Sequence, residues 1–135
     1  MMALLSILDI SSSALVAQSQ RLNISASNMA NAESVADMNG NPYQARQAVF
    51  QVKPDYQGHI GGVEVKQIIR DASPFRLEYQ PGHPFADANG YLRKSNVDVA
   101  AEMINTISAS RSYQANIEVM NTSKSLLQKT LTLGQ

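Results

Sequence analysis

Cysteine is absent from the 135 residues. That excludes disulfides, thiolate catalysis and cysteine-ligated metal. It leaves the compartment open, including passage through an export channel in unfolded form. Charge is also scarce. Charged residues make up 16% of the chain, well under the usual quarter. The 11 basic and 11 acidic residues cancel, so no net field steers the chain to nucleic acid or to an anionic membrane. The shortage is local: residues 1–32 carry only Asp9 and Arg21 as charges, among many Ser, Asn, Gln and Ala. Such a surface is easily desolvated, which suits burial in an assembly.

No run approaches eighteen consecutive apolar residues, so no membrane span is expected. The opening MMALLSILDISSSALVA has a short apolar core and a small-residue end at Ala17. It has no Lys or Arg before that core, and Asp9 interrupts it, so a cleaved secretory signal is not expected. A chain of this kind found outside the cytoplasm would leave by a route that keeps its N-terminus.

Proline and glycine are missing from residues 97–133. There Tyr113, Ile117, Met120, Leu127 and Leu131 recur at the spacing of a helix packing along another helix. Lys124 fills the skipped position, where its stem can cover apolar surface. Val119, Leu126 and Leu133 form a second line at sevens. Two lines exceed the needs of one partner helix.

The first thirty residues repeat the theme. Leu8, Leu15, Leu22 and Met29 stand seven apart, and Ser12, Ser19 and Ala26 follow the first three by four. The spacing predicts a helix over residues 4–31, with a narrow apolar line beside small residues. Burying four apolar side chains does not offset the ordering entropy of such a helix. It needs the last helix, and neighbouring chains, to become rigid. An ordinary amphipathic helix on a globular core is the plainer alternative.

Between the helices the period changes. Asn39-Gly40-Asn41-Pro42 signals a turn. Tyr43 to Val52 alternates as a strand, with Arg46, Ala48, Phe50 and Val52 on one face. Val63 to Ile69 is a second strand, and Phe75 to Tyr79 a third extended piece. Pro81-Gly82-His83-Pro84 cannot be helix interior, and Asp87-Ala88-Asn89-Gly90 is a tight turn before Tyr91. Seven of the eight aromatic residues lie between Tyr43 and Tyr91, which predicts a small core of three or four strands in the middle. The last helix is expected to open near Ser95, with Ser95 and Asp98 in a loose capping box or Asn96 as the N-cap. Asp98 and Glu102 then suit the first turns, where the helix dipole favours anions.

The expected fold is α+β: N- and C-terminal helices paired as an antiparallel coiled-coil-like hairpin, with a small β-rich middle domain. Residues 1–32 and 96–135 form the helical domain, and residues 33–95 the middle one.

Signs of catalysis are few. His59 and His83 sit in separate loops beside Gly or Pro, unlike clustered metal ligands. Asp87 to Gly90 lacks the further acceptors of a calcium loop. Gly61-Gly62 precedes a strand and not a helix, so it is no phosphate cradle. No enzyme, cofactor, metal, small-molecule substrate or nucleic-acid partner is expected. Two polar clusters stand out instead: residues 26–32 (ASNMANA) and 109–116 (ASRSYQAN). Asn28 and Asn31 share a helix face. Each can both donate and accept, to backbone at a helix end or on another chain. Arg111 offers five donors. Local capping with a solvated face competes with polar packing between helices.

These clusters carry a family resemblance. ASNMANAES near the start, and NVDVAAEM and ISASRSYQANIEVMNTSKSLLQKTLTLG at the end, resemble the bacterial flagellar axial proteins, in particular the basal-body rod proteins. YQARQAVFQV, GGVEVKQI and YQPGHPFADANGYLRKSNVDV narrow the resemblance to members of the proximal rod. It covers essentially the whole chain. One position departs: Ser95 stands where Pro is expected before Asn-Val-Asp, which bears on the entry into the last helix.

The resemblance implies a structural subunit of the proximal rod, located in the periplasm. It implies export through the flagellar type III apparatus without cleavage. Implied partners are other rod proteins, the rod's adaptor to the membrane ring, and copies of the chain itself. The terminal helices would form an inner layer, with the middle outside. Carried onto this chain, the motif positions are Asn28, Ala30, Asn31, Asn96, Asp98, Glu102, Met103, Arg111, Tyr113, Ala115 and Asn116. With the apolar residues Leu8, Leu15, Leu22, Ile117, Met120, Leu126, Leu127 and Leu131 they make the expected subunit-contact set. A small soluble adaptor binding one partner helix is the competing reading.

Overall fold

The computed structural model describes residues 2–36 and 40–134. Asn39 of the expected turn lies outside the described residues. The architecture is α+β: two long helices and two separate two-stranded antiparallel sheets. Helix α1 spans Met2–Ala30. Strands β1 (Arg46–Pro54) and β2 (Ile60–Arg70) form one hairpin. Strands β3 (Arg76–Tyr79) and β4 (Tyr91–Lys94) form the other. Helix α2 spans Val99–Leu133. The third and fourth strands thus make their own sheet and do not extend the first.

Helices α1 and α2 pack against each other more extensively than any other pair of elements. Their buried positions differ from the expected seam. On α1, Ser11, Ala17, Ser25 and Asn28 are buried, while Leu8, Leu15 and Leu22 are only half-buried. Ser12, Ser19 and Ala26, the expected small flank, are exposed. The small residues that count are Ser11, Ala17 and Ser25, one on each successive stretch of the apolar line. On α2, Glu102, Ala109 and Ser123 are buried. Tyr113, Met120 and Leu127 are half-buried, whereas Ile117, Lys124 and Leu131 are exposed. Small side chains let two backbones approach closely, so the large neighbours straddle the contact instead of filling it.

By length and composition alone α1 is apolar enough to cross a membrane, a property that a helix packed within a protein can share. Here it lies along α2 and the β1–β2 hairpin.

The aromatic-rich middle does not hold the core. None of the seven aromatics from Tyr43 to Tyr91 is buried, and Tyr56 is fully exposed. The packed centre is Ala32, Ala45 and Val97 with Tyr43 beside them. It sits where α1 ends, β1 begins and the chain enters α2. Leu92 on β4 is buried, and Val35 bridges Lys94, so residues 34–36 run along the outside of β4. The turn at Asp87 forms as expected. Its carboxylate accepts from the Asn89 and Tyr91 amides, and Gly90 closes it at φ +84°, a conformation that favours glycine.

Candidate assembly surface and the polar junction behind it

Asn28 sits at the meeting point of α1, β1 and α2, and it is 0% exposed. Its carboxamide uses both donors and both acceptor positions. Nδ2 donates to the Arg46 carbonyl at 2.8 Å and to Glu102 Oε1 at 3.0 Å. Oδ1 accepts from the Arg46 amide at 3.0 Å and from the Tyr43 hydroxyl at 2.8 Å. A carboxamide can do no more. By holding both the N–H and the C=O of Arg46, Asn28 acts as a neighbouring strand would. The Ser27 hydroxyl lies 3.2 Å from that of Tyr43. One level away, Arg21 Nη2 donates to Asn105 Oδ1 at 3.2 Å.

Asn96 plays a similar part at the open end of the hairpin. Its Oδ1 accepts from the Ala45 amide at 2.7 Å, and its Nδ2 donates to the carbonyls of Asp71 and Ser73. Asn96 is therefore not the N-cap of α2. Ser95 is not the cap either: it is buried, and its Oγ accepts from the Val97 amide. Asp98 caps the helix, accepting from the amides of Ala100 and Ala101. The reason is geometric. The backbone at 95–97 is held by Ser34, whose carbonyl accepts from the Ser95 amide, and by Arg76, whose guanidinium donates to the carbonyls of Ser95 and Ala32. Helical turns start only beyond that clamp.

Sequence reasoning missed two further ties. Ser13 Oγ accepts from the Val63 amide at 2.9 Å while donating to the Ile10 carbonyl. It meets Gly62 so closely that an added Cβ would lie 2.9 Å from Ser13 Cβ. The glycine pair before a strand was the available signal. The second tie is ionic. Lys94 Nζ pairs with Glu33 at 2.9 Å and Glu78 at 2.6 Å, and Arg76 also reaches Glu33. Hydrogen bonds from Lys94, then from Arg76, hold the Glu33 carboxyl below its usual range. Those from Lys94, then from Gln80, do the same for Glu78. In return Glu78 and Glu33 hold Lys94 above its usual value.

Outside the junction the helices expose apolar side chains. Along α2, Met103, Ile107, Ile117 and Leu131 follow one line, and Ile104, Val119, Leu126 and Leu133 another. On α1, Leu5, Ile7 and Val16 are exposed. Among the expected contact residues, Ala30, Met103, Arg111, Ala115, Ile117, Leu126 and Leu131 thus face outward. Among the described residues, the side chains of Asn31 and Asn116 bond only the carbonyl one turn back, Ser27 and Ser112. Asn28 and Glu102 are enclosed.

Whole-chain relatives identify the family. The chain is 66% identical over 134 residues to a flagellar basal-body rod protein FlgC from Yersinia enterocolitica, covering 99% of this chain and all of the relative. The chain belongs to the FlgC family of flagellar basal-body rod proteins. A Salmonella typhimurium FlgC is 60% identical over the same span, and one from Buchnera aphidicola is 48% identical over 136 aligned residues, again covering 99% of this chain and all of the relative. Residues 88–133 match the family model for the flagellar basal body rod FlgEFG protein C-terminal region. That match takes in β4, the Asn96–Asp98 entry and α2. The FlgC family is structural and not enzymatic.

Proposed function

We propose that this chain is a structural subunit of the proximal rod of the flagellar basal body, assembling through its terminal helices and transmitting torque. The observation that carries the reading is the pair of exposed apolar lines on α2, in a chain matched end to end by FlgC rod proteins. Apolar surface of that extent calls for several neighbours. A rod that turns under load needs such multi-neighbour contacts to resist twist.

In this reading α1 and α2 form an antiparallel coiled-coil-like hairpin. Its support is the order of contacts: Arg21 meets Asn105, and the later Asn28 meets the earlier Glu102. Residues 1–32 and 96–135 form the rod-core layer, and 33–95 the outer β-rich part. Leu126, Leu131, Ile117 and Met103 touch neighbouring subunits directly, with Ala30, Arg111 and Ala115. The half-buried Leu8, Leu15, Leu22, Tyr113, Met120 and Leu127 brace the hairpin. Asn28, Glu102, Asn96 and Asp98 contribute by fixing its geometry. Partners are other rod proteins, further copies, and the adaptor to the membrane ring. The subunit works in the periplasm after type III export without cleavage.

The test is Ile107→Asp and Leu126→Asp, one on each exposed line. Both variants should keep the circular dichroism of the free chain and fail to restore motility to a strain lacking the native subunit. Normal rods from both would remove the helices as the interface. Loss with only one would favour the rival reading, an adaptor holding a single partner helix.

A further inference from the structure

The β1–β2 hairpin has an open edge, and Asn28 shows what that edge needs. Arg46 and Arg70 are direct partners in the register. The Asp71 amide bonds the Ala45 carbonyl, while the Arg46 amide and carbonyl turn the other way to Asn28. Backbone groups alternate in direction along a strand. Those of Ala48, Phe50 and Val52 therefore point to the same outer side as Arg46. Asn28 serves the first of these four positions. Among the described residues no third strand lies there, and no side chain bonds the other three.

A cleft of about 360 Å³ runs beside this edge, between Ala48 and Phe50 on one wall and Arg21, Ser25 and Asn105 on the other. Its charge is basic. Arg21 and Arg46 both line it, and Arg70 stands on the same sheet face as Arg46, a like-charge arrangement that is unfavourable unless an anion joins it. Among the described residues none of the three arginines forms an ion pair. The Glu102 carboxylate in the same wall is turned to Asn28.

We propose that the outer edge of β1 takes an extended, carboxylate-bearing segment of a neighbouring rod subunit as a third strand. Its backbone continues from Asn28 along Ala48, Phe50 and Val52, and its acid meets Arg21, Arg46 and Arg70. Strand addition of this kind draws affinity from main-chain hydrogen bonds, and charged groups beside the edge set the register. A second copy of β1 does not fit, because pairing the edge with itself brings arginine and lysine toward the same groove without an acid. The inference rests on the rod reading above and adds a site that the helices do not supply.

Residue-resolved hydrogen exchange on the free chain and on purified basal bodies tests it. The amides of Gln47, Val49 and Gln51 pair with β2 and should be slow in both. Those of Ala48, Phe50 and Val52 should be fast in the free chain and slowed roughly tenfold or more in the rod. Exchange as fast in the rod as in the free chain overturns the proposal while leaving the rod reading intact. A chain that never enters basal bodies overturns the rod reading instead. Ala48→Pro removes one outward donor without touching the β1–β2 ladder. It should keep the free chain's circular dichroism and reduce rod number. Arg46→Glu should reduce it as well. If Ala48→Pro unfolds the hairpin, the exchange comparison on the native chain still decides.

Discussion

At the junction, polar groups are enclosed, and the Asn28 carboxamide is fully paired. Along the outer helices, apolar groups stand in water. Asn28, Ser95 and Glu102 are buried where the two helices meet the sheet, while Ile104, Ile107 and Leu126 are exposed along α2. An ordinary globular domain does the reverse. The contrast teaches that the two regions answer different demands. The junction sets angles between elements, for which directional hydrogen bonds with fixed geometry are suited. The helical surface supplies adhesion, which is non-directional and scales with area.

Four measurements would break or sharpen that contrast. Asn28→Ala should have the largest effect on the free chain. It strips the Arg46 amide and carbonyl of partners and leaves Glu102 unbonded in a closed site. A loss of about 3 kcal/mol or more in urea unfolding is expected, since each orphaned buried group costs about 1–3 kcal/mol. A loss under about 1 kcal/mol would mean that water replaces the carboxamide, and the junction would be no special region. Gly62→Ala comes next, at about 1–3 kcal/mol, because its methyl group enters the space of Ser13. The double variant with Ser13→Ala should recover only the part due to the Ser13 hydroxyl, since the Cβ contact and the backbone at φ +156° remain, and no recovery at all would show that the hydroxyl is not what the methyl meets. Asp98→Ala should cost about 1 kcal/mol by removing the cap of α2. If Asn96→Ala lost no more than Asp98→Ala, the bridging of β1 and residue 71 by Asn96 would be unimportant.

The smallest effect concerns pH. Glu33 and Glu78 have lowered pKa values in the folded chain. Their contribution is present above the ordinary glutamate value of 4.5 and is lost as pH falls through the folded values beneath it. Lys94 is raised, so its part is present below 10.5 and is lost as pH rises through the higher folded value. The two carboxylates are largely open to water although Lys94 between them is half-buried, and salt should weaken the effect. Unfolding midpoints of the native chain and of Lys94→Met, compared from neutral to acid pH, should converge at the acid end. Parallel curves would show the ionic cluster to be idle.

How much of this was legible follows from which signals are periodic. The absence of Pro and Gly marked α2, and alternation marked β1 and β2. The Asn28 and Asn31 cluster was visible as polar residues in an apolar setting, and the resemblance to rod proteins was readable in the terminal motifs. The helix contact was misjudged, because a search for large apolar residues passes over Ser11, Ser25, Ala109 and Ser123. Those residues bury by being small. Ile117 and Leu131 fit the same period and point elsewhere. The cap was misplaced by two to three residues, since Ser95, Asn96 and Asp98 are all good caps in isolation. Only the hydrogen bonds of Asn96 to Ala45 and residue 71, distant in sequence, remove it from that role. Aromatic residues pointed to a middle core because aromatics usually bury. Here they are left partly open, and the alanines at the junction fill the centre.

Two carboxamides complete the first sheet, one contributed from position 28 and the other from position 96. They flank the strands on both sides in sequence, so no fragment holding β1 and β2 alone carries its own finishing pieces. A chain delivered N-terminus first would have its hairpin emerge unfinished and stay so until the last third arrived.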